Sequence, residues 1–352
     1  IFILIKWKKK LKLKNYKPII IVAGEPNSIF LEIFFKSLKK VKNKSPIILI
    51  CSKKLFLLQL KYFNAKINFK LISIDDVLKK RYNHKIINLL DVNLNINKPF
   101  NKISNKSNVY IENCFDIALM LLKKGVSHKL INGPISKKHF LKNKYLGITE
   151  YLAKKTNKEN YAMLIYNEKL SVSPITTHLP IRQIPKKIKH KEIINKIILI
   201  NDFIKKTLHF NPKFGVTGLN PHCESVNGIN EDDKIVKPAI KKLAKMKYKV
   251  SGPFAADTIF MKKNRNSFDV IIGMYHDQVL TPIKTLYEYD AINITLGLPF
   301  LRVSPDHGPN TSMIGKNKSN PISLIKAINF LDKNWLGQKK ALDKIFLQTD
   351  LF

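Results

Sequence analysis

An alternation between two hydrophobic periods constrains this chain more than any other feature. Residues 18–23 read PIIIVA, a short β-branched run that fits a buried strand. Gly24-Glu25-Pro26 interrupts the run. Ile29, Leu31, Ile33, Phe34 and Leu38 then fall at helical spacing within 28–41. Residues 46–51 (PIILIC) predict a second strand and 54–63 a second helix. Strand–helix alternation of this kind predicts an α/β sheet. From 76 to 108, Asn and Lys dominate and the periodicity fades, which predicts loops with a short strand or helix among them. Residues 110–124 return to a helical pattern, with Ile111, Phe115, Ala118, Leu119 and Leu122 on one face and Gly125 as its end. A second block starts near Lys129. It has strand-like runs at 129–132, 161–166, 169–176, 213–218 and 268–274, and helical stretches at 190–208 and 232–247. An amphipathic helix at 322–334 closes the pattern.

Composition narrows the class. At roughly 100–200 residues per domain, 352 residues predict two domains. The formal charge is +38, from 63 basic and 25 acidic side chains, which by itself invites a polyanion partner. The lysines, however, are spread along the whole chain beside Ile and Asn, as in KKIKHKEIINK (186–196), a pattern that AT-rich coding produces. No zinc finger, RNP motif or heptad-linked basic region accompanies them, which argues against nucleic-acid binding as the function. The charge still suits small anionic substrates such as phosphates and a dinucleotide. Cys51, Cys114 and Cys223 form no CxxC pair and are odd in number, which fits free thiols in a reducing cytoplasm. Residues 1–15 (IFILIKWKKKLKLKN) hold too short an apolar run to span a membrane, which takes roughly 20 residues. They are expected to be a basic extension outside the fold.

Three of the nine histidines stand at the ends of predicted strands: His178 in TTHLP, His222 in GLNPH and His276 in GMYHDQ. Ligands of open α/β sheets bind beyond the carboxyl ends of strands, so the three are candidates for one cluster. Three neutral imidazoles with an open position suit Zn²⁺ or Co²⁺, and Mg²⁺ or Mn²⁺ less well. A histidine that merely caps a strand end is the plainer reading for each taken singly. Asp257 lies in the small-residue turn GPFAADT, and Lys284, Asn293 and Arg302 surround ITLGLPF (294–300), read as a turn. A Lys, an Asn and an Arg near one turn suit a phosphate and a carboxylate. The turn GEPNSIF (24–30) has the position of an anion-binding helix N-terminus, but it is not GxGxxG, which argues against a Rossmann site.

The motifs VAGEPNSIFLE, INGPISK, GITEYLA, TTHLPI, GLNPH, GPFAADT, MYHDQ, NITLGLPFLR and DHG occur together, in this order, from about Pro18 to about Trp335. In this the chain resembles the 4-hydroxythreonine-4-phosphate dehydrogenases of pyridoxal phosphate synthesis. The resemblance implies a two-domain α/β fold like that of isocitrate and isopropylmalate dehydrogenases, with the active site between the domains. The expected division is 16–131 plus 306–352 for the first domain and 132–305 for the second. It implies a cytoplasmic homodimer with a shared active site, and a divalent metal held by His178, His222 and His276, one of them from the partner subunit. Asp257 would lie near the metal, with either it or a metal-linked water as proton acceptor, and Asp257 and Lys284 are the expected catalytic residues. Thr149, Lys284, Asn293 and Arg302 would contact the phosphorylated substrate, and His307 and Gly308 the NAD (or NADP). The implied reaction oxidises the C3 hydroxyl of 4-phosphooxy-L-threonine, and the β-keto acid then loses CO₂ to give 3-amino-2-oxopropyl phosphate.

Two departures stand out. The family's GHTE is here Gly147-Ile148-Thr149-Glu150, and Ile cannot replace the hydrogen bonds of a substrate-binding His. Such a loss costs roughly 1–3 kcal/mol when it leaves a partner unsatisfied. Ser28 and Phe30 also stand where GEPAGIGPE has glycines. The alternatives are a related metal-dependent dehydrogenase of 4-phospho-threonate, 4-phospho-erythronate or a diol acid, and a catalytically silent basic binding protein.

Overall fold

The computed structural model describes residues 16–142, 144–224 and 230–333. The expected extension at 1–15, the end of the motif series at Trp335 and the chain from there to 352 lie outside the described residues. Contacts divide the chain into two compact units. One runs to Tyr145 and resumes at Pro299, and the other spans Leu146–Leu298.

The first unit is built on β1 (Ile19–Val22), β2 (Ile47–Cys51), β3 (Phe69–Ile72), β4 (Ile87–Asp91), β5 (Lys129–Asn132) and, late in the chain, β12 (Leu301–Pro305). Their order is β3-β4-β2-β1-β5-β12, with every pairing parallel. The central β1 is buried throughout, as its unbroken β-branched run requires when helices cover both faces. The helix Phe30–Leu38 turns Phe30, Leu31, Ile33, Phe34 and Phe35 inward, and Lys36 reaches back one turn to Glu32 at 2.7 Å. Each large apolar side chain buried this way contributes roughly 1.5–3 kcal/mol. The helix Asn108–Lys123 packs on β1 and β2 and stops at Gly125, whose φ of 72° closes it without steric cost. β3 escapes the sequence pattern because it is an edge strand, with Lys70 and Leu71 exposed and only Ile72 buried.

The sequence divisions at 131/132 and 305/306 differ from those of the contacts. Gly133 N donates to Val22 O and Glu25 N to Pro134 O, which keeps the chain after β5 in the first unit. β12 pairs with β5, which draws 301–305 in as well.

The second unit contains β6 (Ala162–Tyr166), β7 (Ser171–Thr176), β8 (Phe214–Thr217), β9 (Val250–Phe254), β10 (Val270–Tyr275) and β11 (Ile292–Leu296). Their order is β11-β6-β7-β10-β8-β9. β6 runs antiparallel to both its neighbours, and β7, β10, β8 and β9 are mutually parallel. The helix His190–Thr207 buries Ile193, Ile197, Ile200 and Ile204 at intervals of three and four residues and packs on β6, β7 and β11. The reading of ITLGLPF as a turn is corrected. Its first three residues end β11, hydrogen-bonded to β6, and the turn is confined to 297–300, opening at Gly297 with φ 88°. β9 was hidden by Gly252 and Pro253, residues that a strand tolerates at a sheet edge.

At the start of β5 one buried charge works against the first unit. Lys129 is 3% exposed, and its amine reaches the Ser45 hydroxyl at 3.1 Å. Burial lowers its pKa from 10.5 to about 8, against an opposing pull from the Asp332 carboxylate. The unfolded chain therefore binds more protons between these two values, and stability rises with pH there. Below about pH 8 the penalty is complete, on the order of 3 kcal/mol. Lys129→Met is expected to raise the urea-unfolding free energy at pH 7, and the gain should shrink as pH rises from 8 towards 10.5. A gain that does not change with pH over that range would refute the assignment.

Candidate active site

Parallel strands that lie side by side deliver whatever follows them to one edge. In the order β7-β10-β8-β9 these residues are His178, His276, His222 and Asp257. β10 lies between β7 and β8, with Tyr275 opposite Thr176, so the first two histidines are neighbours. Their ring centroids are 5.3 Å apart and their planes tilted by 39°. His276 opens the helix His276–Tyr287, and its Nδ1 lies 2.6 Å from Asp277 Oδ1. A carboxylate on one ring nitrogen fixes the ring and leaves the other to face a ligand.

Two of the histidines sit in backbone conformations that L-residues avoid. His178 has φ 51° and His222 φ 54°, and Cys223 follows at 61°. Such positions cost about 1–3 kcal/mol each and persist only where the surroundings impose them. At His178 the surroundings are Glu150 and Gly147. Glu150 Oε1 accepts from the Thr177 hydroxyl at 3.0 Å, while its Oε2 is buried without a hydrogen-bond partner. A β-carbon on Gly147 would lie 2.8 Å from that Oε2 and 3.1 Å from the His178 ring, so only glycine allows this approach. At His222, the buried Asp232 carboxylate takes the backbone N–H groups of Leu219 and Asn220. Burial raises the pKa of the neighbouring Cys223, and the Asp232 and Asp257 carboxylates add to that rise. The Asp257 carboxylate thus lies within electrostatic reach of Cys223, the residue after His222.

Thr149 and Asn293 come together through β11. Thr149 is buried in the helix Ile148–Lys155, and its hydroxyl lies 3.2 Å from that of Thr295. Thr295 shares a strand face with Asn293, two residues away, whose Oδ1 is buried without a hydrogen-bond partner. Ile148 is the first residue of that helix, half-buried. Lys284 is exposed in the last turn of the helix that His276 begins, about 12 Å further along its axis at 1.5 Å per residue.

The remaining candidates belong to the first unit. Arg302 is fully buried on β12, and its Nε donates to Asn132 Oδ1 at 2.7 Å. His307 Nδ1 lies 3.0 Å from Gly308 O, and a β-carbon at Gly308 would meet open space. The next residue, Pro309, accepts from Ile29 N, which ties this loop to the first turn. That turn is not an open anion site. Phe30 N donates to the Ser28 hydroxyl, Ser28 donates to Glu25 O, and Glu25 Oε1 accepts from Asn27 N. Phe30 is buried, with its ring stacked on Phe34 and lying against Gly133. The two missing glycines are thus replaced by a hydroxyl cap and an added core side chain.

A divalent transition cation fits the donor chemistry of this edge, which offers imidazole nitrogens with a carboxylate behind one of them. Among the described residues no three of His, Cys, Asp or Glu gather closely enough to hold an ion. Asp232, Gln278 and Glu150 are the polar residues that sequence reasoning missed. Gln278 and Glu150 lie inside quoted motifs, but their partners are remote in sequence. Gln278 Nε2 donates to Gly218 O at 2.7 Å.

Comparisons with known proteins place the chain among dehydrogenases. The family described as pyridoxal phosphate biosynthetic protein PdxA matches residues 42–331. A 4-hydroxythreonine-4-phosphate dehydrogenase of Sulfurihydrogenibium sp. (strain YO3AOP1) is 38% identical over 314 residues, covering 88% of this chain and 95% of the relative. A D-threonate 4-phosphate dehydrogenase of Salmonella typhimurium is 31% identical over 316 residues, covering 88% and 96%. The crystal structure of 4-hydroxythreonine-4-phosphate dehydrogenase from Klebsiella pneumoniae superposes with a TM-score of 0.75 at 29% identity, covering 90% of this chain and 98% of that one.

The close approach at Gly147 makes a direct prediction. Gly147→Ala should push the His178 ring away and widen the 5.3 Å separation from His276. The backbone itself accepts Ala, since φ is −163°. A crystal structure of the variant with both rings unmoved would show that the contact does not position His178.

Proposed function

Because this chain belongs to the PdxA family, and is therefore an oxidoreductase of the dehydrogenase type, we propose that it oxidises 4-phosphooxy-L-threonine at C3 with NAD. The 2-amino-3-oxo acid that forms then loses CO₂ to leave 3-amino-2-oxopropyl phosphate. The observation that carries this reading is the shared edge of β7, β10, β8 and β9, which bears His178, His276, His222 and Asp257. The three imidazoles hold a divalent cation, Zn²⁺ or Co²⁺ before Mg²⁺ or Mn²⁺, and a second copy of the chain supplies one of them. When bound, the cation acts as a Lewis acid that stabilises negative charge on the substrate oxygens.

The chain's own residues do the rest. Asp257 would accept the proton of the C3 hydroxyl, and NAD, when bound, would supply the acceptor for the hydride. Asn293 and Thr149 orient the substrate from one side of β11 and the helix that follows Gly147, and Lys284 meets the phosphate. Arg302, held by Asn132, supplies a fixed positive charge for an anionic group. His307 and Gly308 hold the dinucleotide where the backbone leaves room for it. No helix among the described residues is long and apolar enough to cross a membrane, and the enzyme works in the cytoplasm as a homodimer.

One observation favours a second reading. Ile148 stands where the family has a substrate-binding His, and a relative at 31% identity is named for D-threonate 4-phosphate. That substrate carries a hydroxyl at C2 where 4-phosphooxy-L-threonine carries an amino group.

NADH formation from 4-phosphooxy-L-threonine is expected in the unaltered protein, to be abolished by a chelator, and to fall at least 100-fold in His222→Ala. Equal rates in both proteins would end the mechanistic proposal. Ile148→His is expected to lower the Michaelis constant for 4-phosphooxy-L-threonine several-fold. An unchanged constant there, with faster turnover of D-threonate 4-phosphate by the unaltered protein, would favour the second reading.

A further inference from the structure

His222 is exposed, yet a fully buried carboxylate and a half-buried amide are engaged beside it. Asp232 has no exposed surface. Its Oδ1 accepts from Leu219 N at 2.6 Å, and its Oδ2 accepts from both Asn220 N and Asn220 Nδ2 at 3.0 Å. Gln278 works from the other side. Its Oε1 accepts from Met274 N at 2.6 Å and from the Thr217 hydroxyl at 2.8 Å, and its Nε2 donates to Gly218 O at 2.7 Å. A third tie runs from Gly218 N to Phe254 O, the end of β9. One amide side chain thus bonds the residue two before His276 and the residue four before His222. One carboxylate then holds the two residues between Gly218 and Pro221.

We propose that Asp232 and Gln278 form a positioning brace, which holds His222 in its left-handed conformation and in fixed relation to the β10 end that carries His276. The inference rests on the reading of His222 as a cation ligand and goes beyond it, since neither residue touches substrate, cofactor or ion. Two consecutive non-glycine residues at positive φ relax unless something imposes the conformation. The apolar core does not impose it, because the side chain being presented points away from the core. Asp232, fully buried, and Gln278, half-buried, together engage the Thr217 hydroxyl, Gly218 O and the N–H groups of Leu219 and Asn220. Support of this kind sets the precision of a site. Removing groups that orient a metal ligand typically weakens metal binding about 10- to 100-fold.

The test titrates cobalt(II) chloride into the full-length protein, follows the visible absorption of the bound ion and records melting temperature in parallel. Asp232→Asn keeps the shape and loses one of the two charged acceptors. Gln278→Glu keeps both acceptor contacts and loses the donation to Gly218 O. Each is expected to weaken cobalt binding about 10- to 100-fold with a small change in melting temperature. Because the brace acts through His222, adding Asp232→Asn to His222→Ala should change affinity less than twofold further. Multiplying effects, or Asp232→Asn binding cobalt as the unaltered protein does, would overturn the brace. If Asp232→Asn does not fold, Asn220→Ala removes the Nδ2 contacts to Asp232 and Glu231, leaves the backbone bonds to Asp232, and is expected to weaken binding in the same direction. Failure of the unaltered protein to take up cobalt would overturn the cation reading instead. The same cycle, run on NADH formation, then decides the brace.

Discussion

The parallel pairing of β10 with both β7 and β8 is the constraint on which the rest of the second unit depends. Adjacent parallel strands lie about 4.8 Å apart and end on the same edge. Residues that are far apart in sequence, at 178, 222, 257 and 276, are thereby brought to consecutive strand ends. An antiparallel insertion anywhere within β7-β10-β8-β9 would send one of these residues to the opposite edge. The antiparallel strands β6 and β11 stand outside that set, and they contribute through a strand face, where Asn293 and Thr295 point the same way.

Strand ends alone do not aim side chains. His178 and His222 are aimed by backbone conformations near φ 50°, and each is accompanied by hydrogen-bonded polar groups, of which Asp232 is fully buried and the others half-buried. Glu150 and Thr177 stand beside the first, and Asp232, Asn220 and Gln278 beside the second. The energetic logic is the same in both places. Backbone strain at an exposed histidine is offset by hydrogen bonds made beside it, and at His222 those to Asp232 are shielded from water. In the first unit the same resource is used to close the sheet edge. Ser28 and Glu25 satisfy the turn before the helix Phe30–Leu38, and Arg302 is held by Asn132.

Much of this was legible in the residues. PIIIVA and PIILIC are strands because β-branched side chains suit a surface buried on both faces, and the spacing of Ile193, Ile197, Ile200 and Ile204 can only be a helix face. The three histidines were found because each follows an apolar run. β9, β11 and β12 were not found. Gly252 and Pro253 resemble a turn, and ITLGLPF hides a strand end behind Gly297. Asp232 and Gln278 were missed because most of their partners are backbone groups, which have no residue type to recognise, and most lie far away in sequence.

Sequence by itself determined the alternation of strand and helix, the family, and the identity of the residues at the strand ends. Local periodicity and local motifs encode these, because they depend on neighbours along the chain. Tertiary structure alone decided the order β7-β10-β8-β9, and hence which histidines are neighbours. It also decided that no three candidate ligands gather within the described part of one chain. Strand order is set by which faces must be buried together across long loops, and no interval between residues records that.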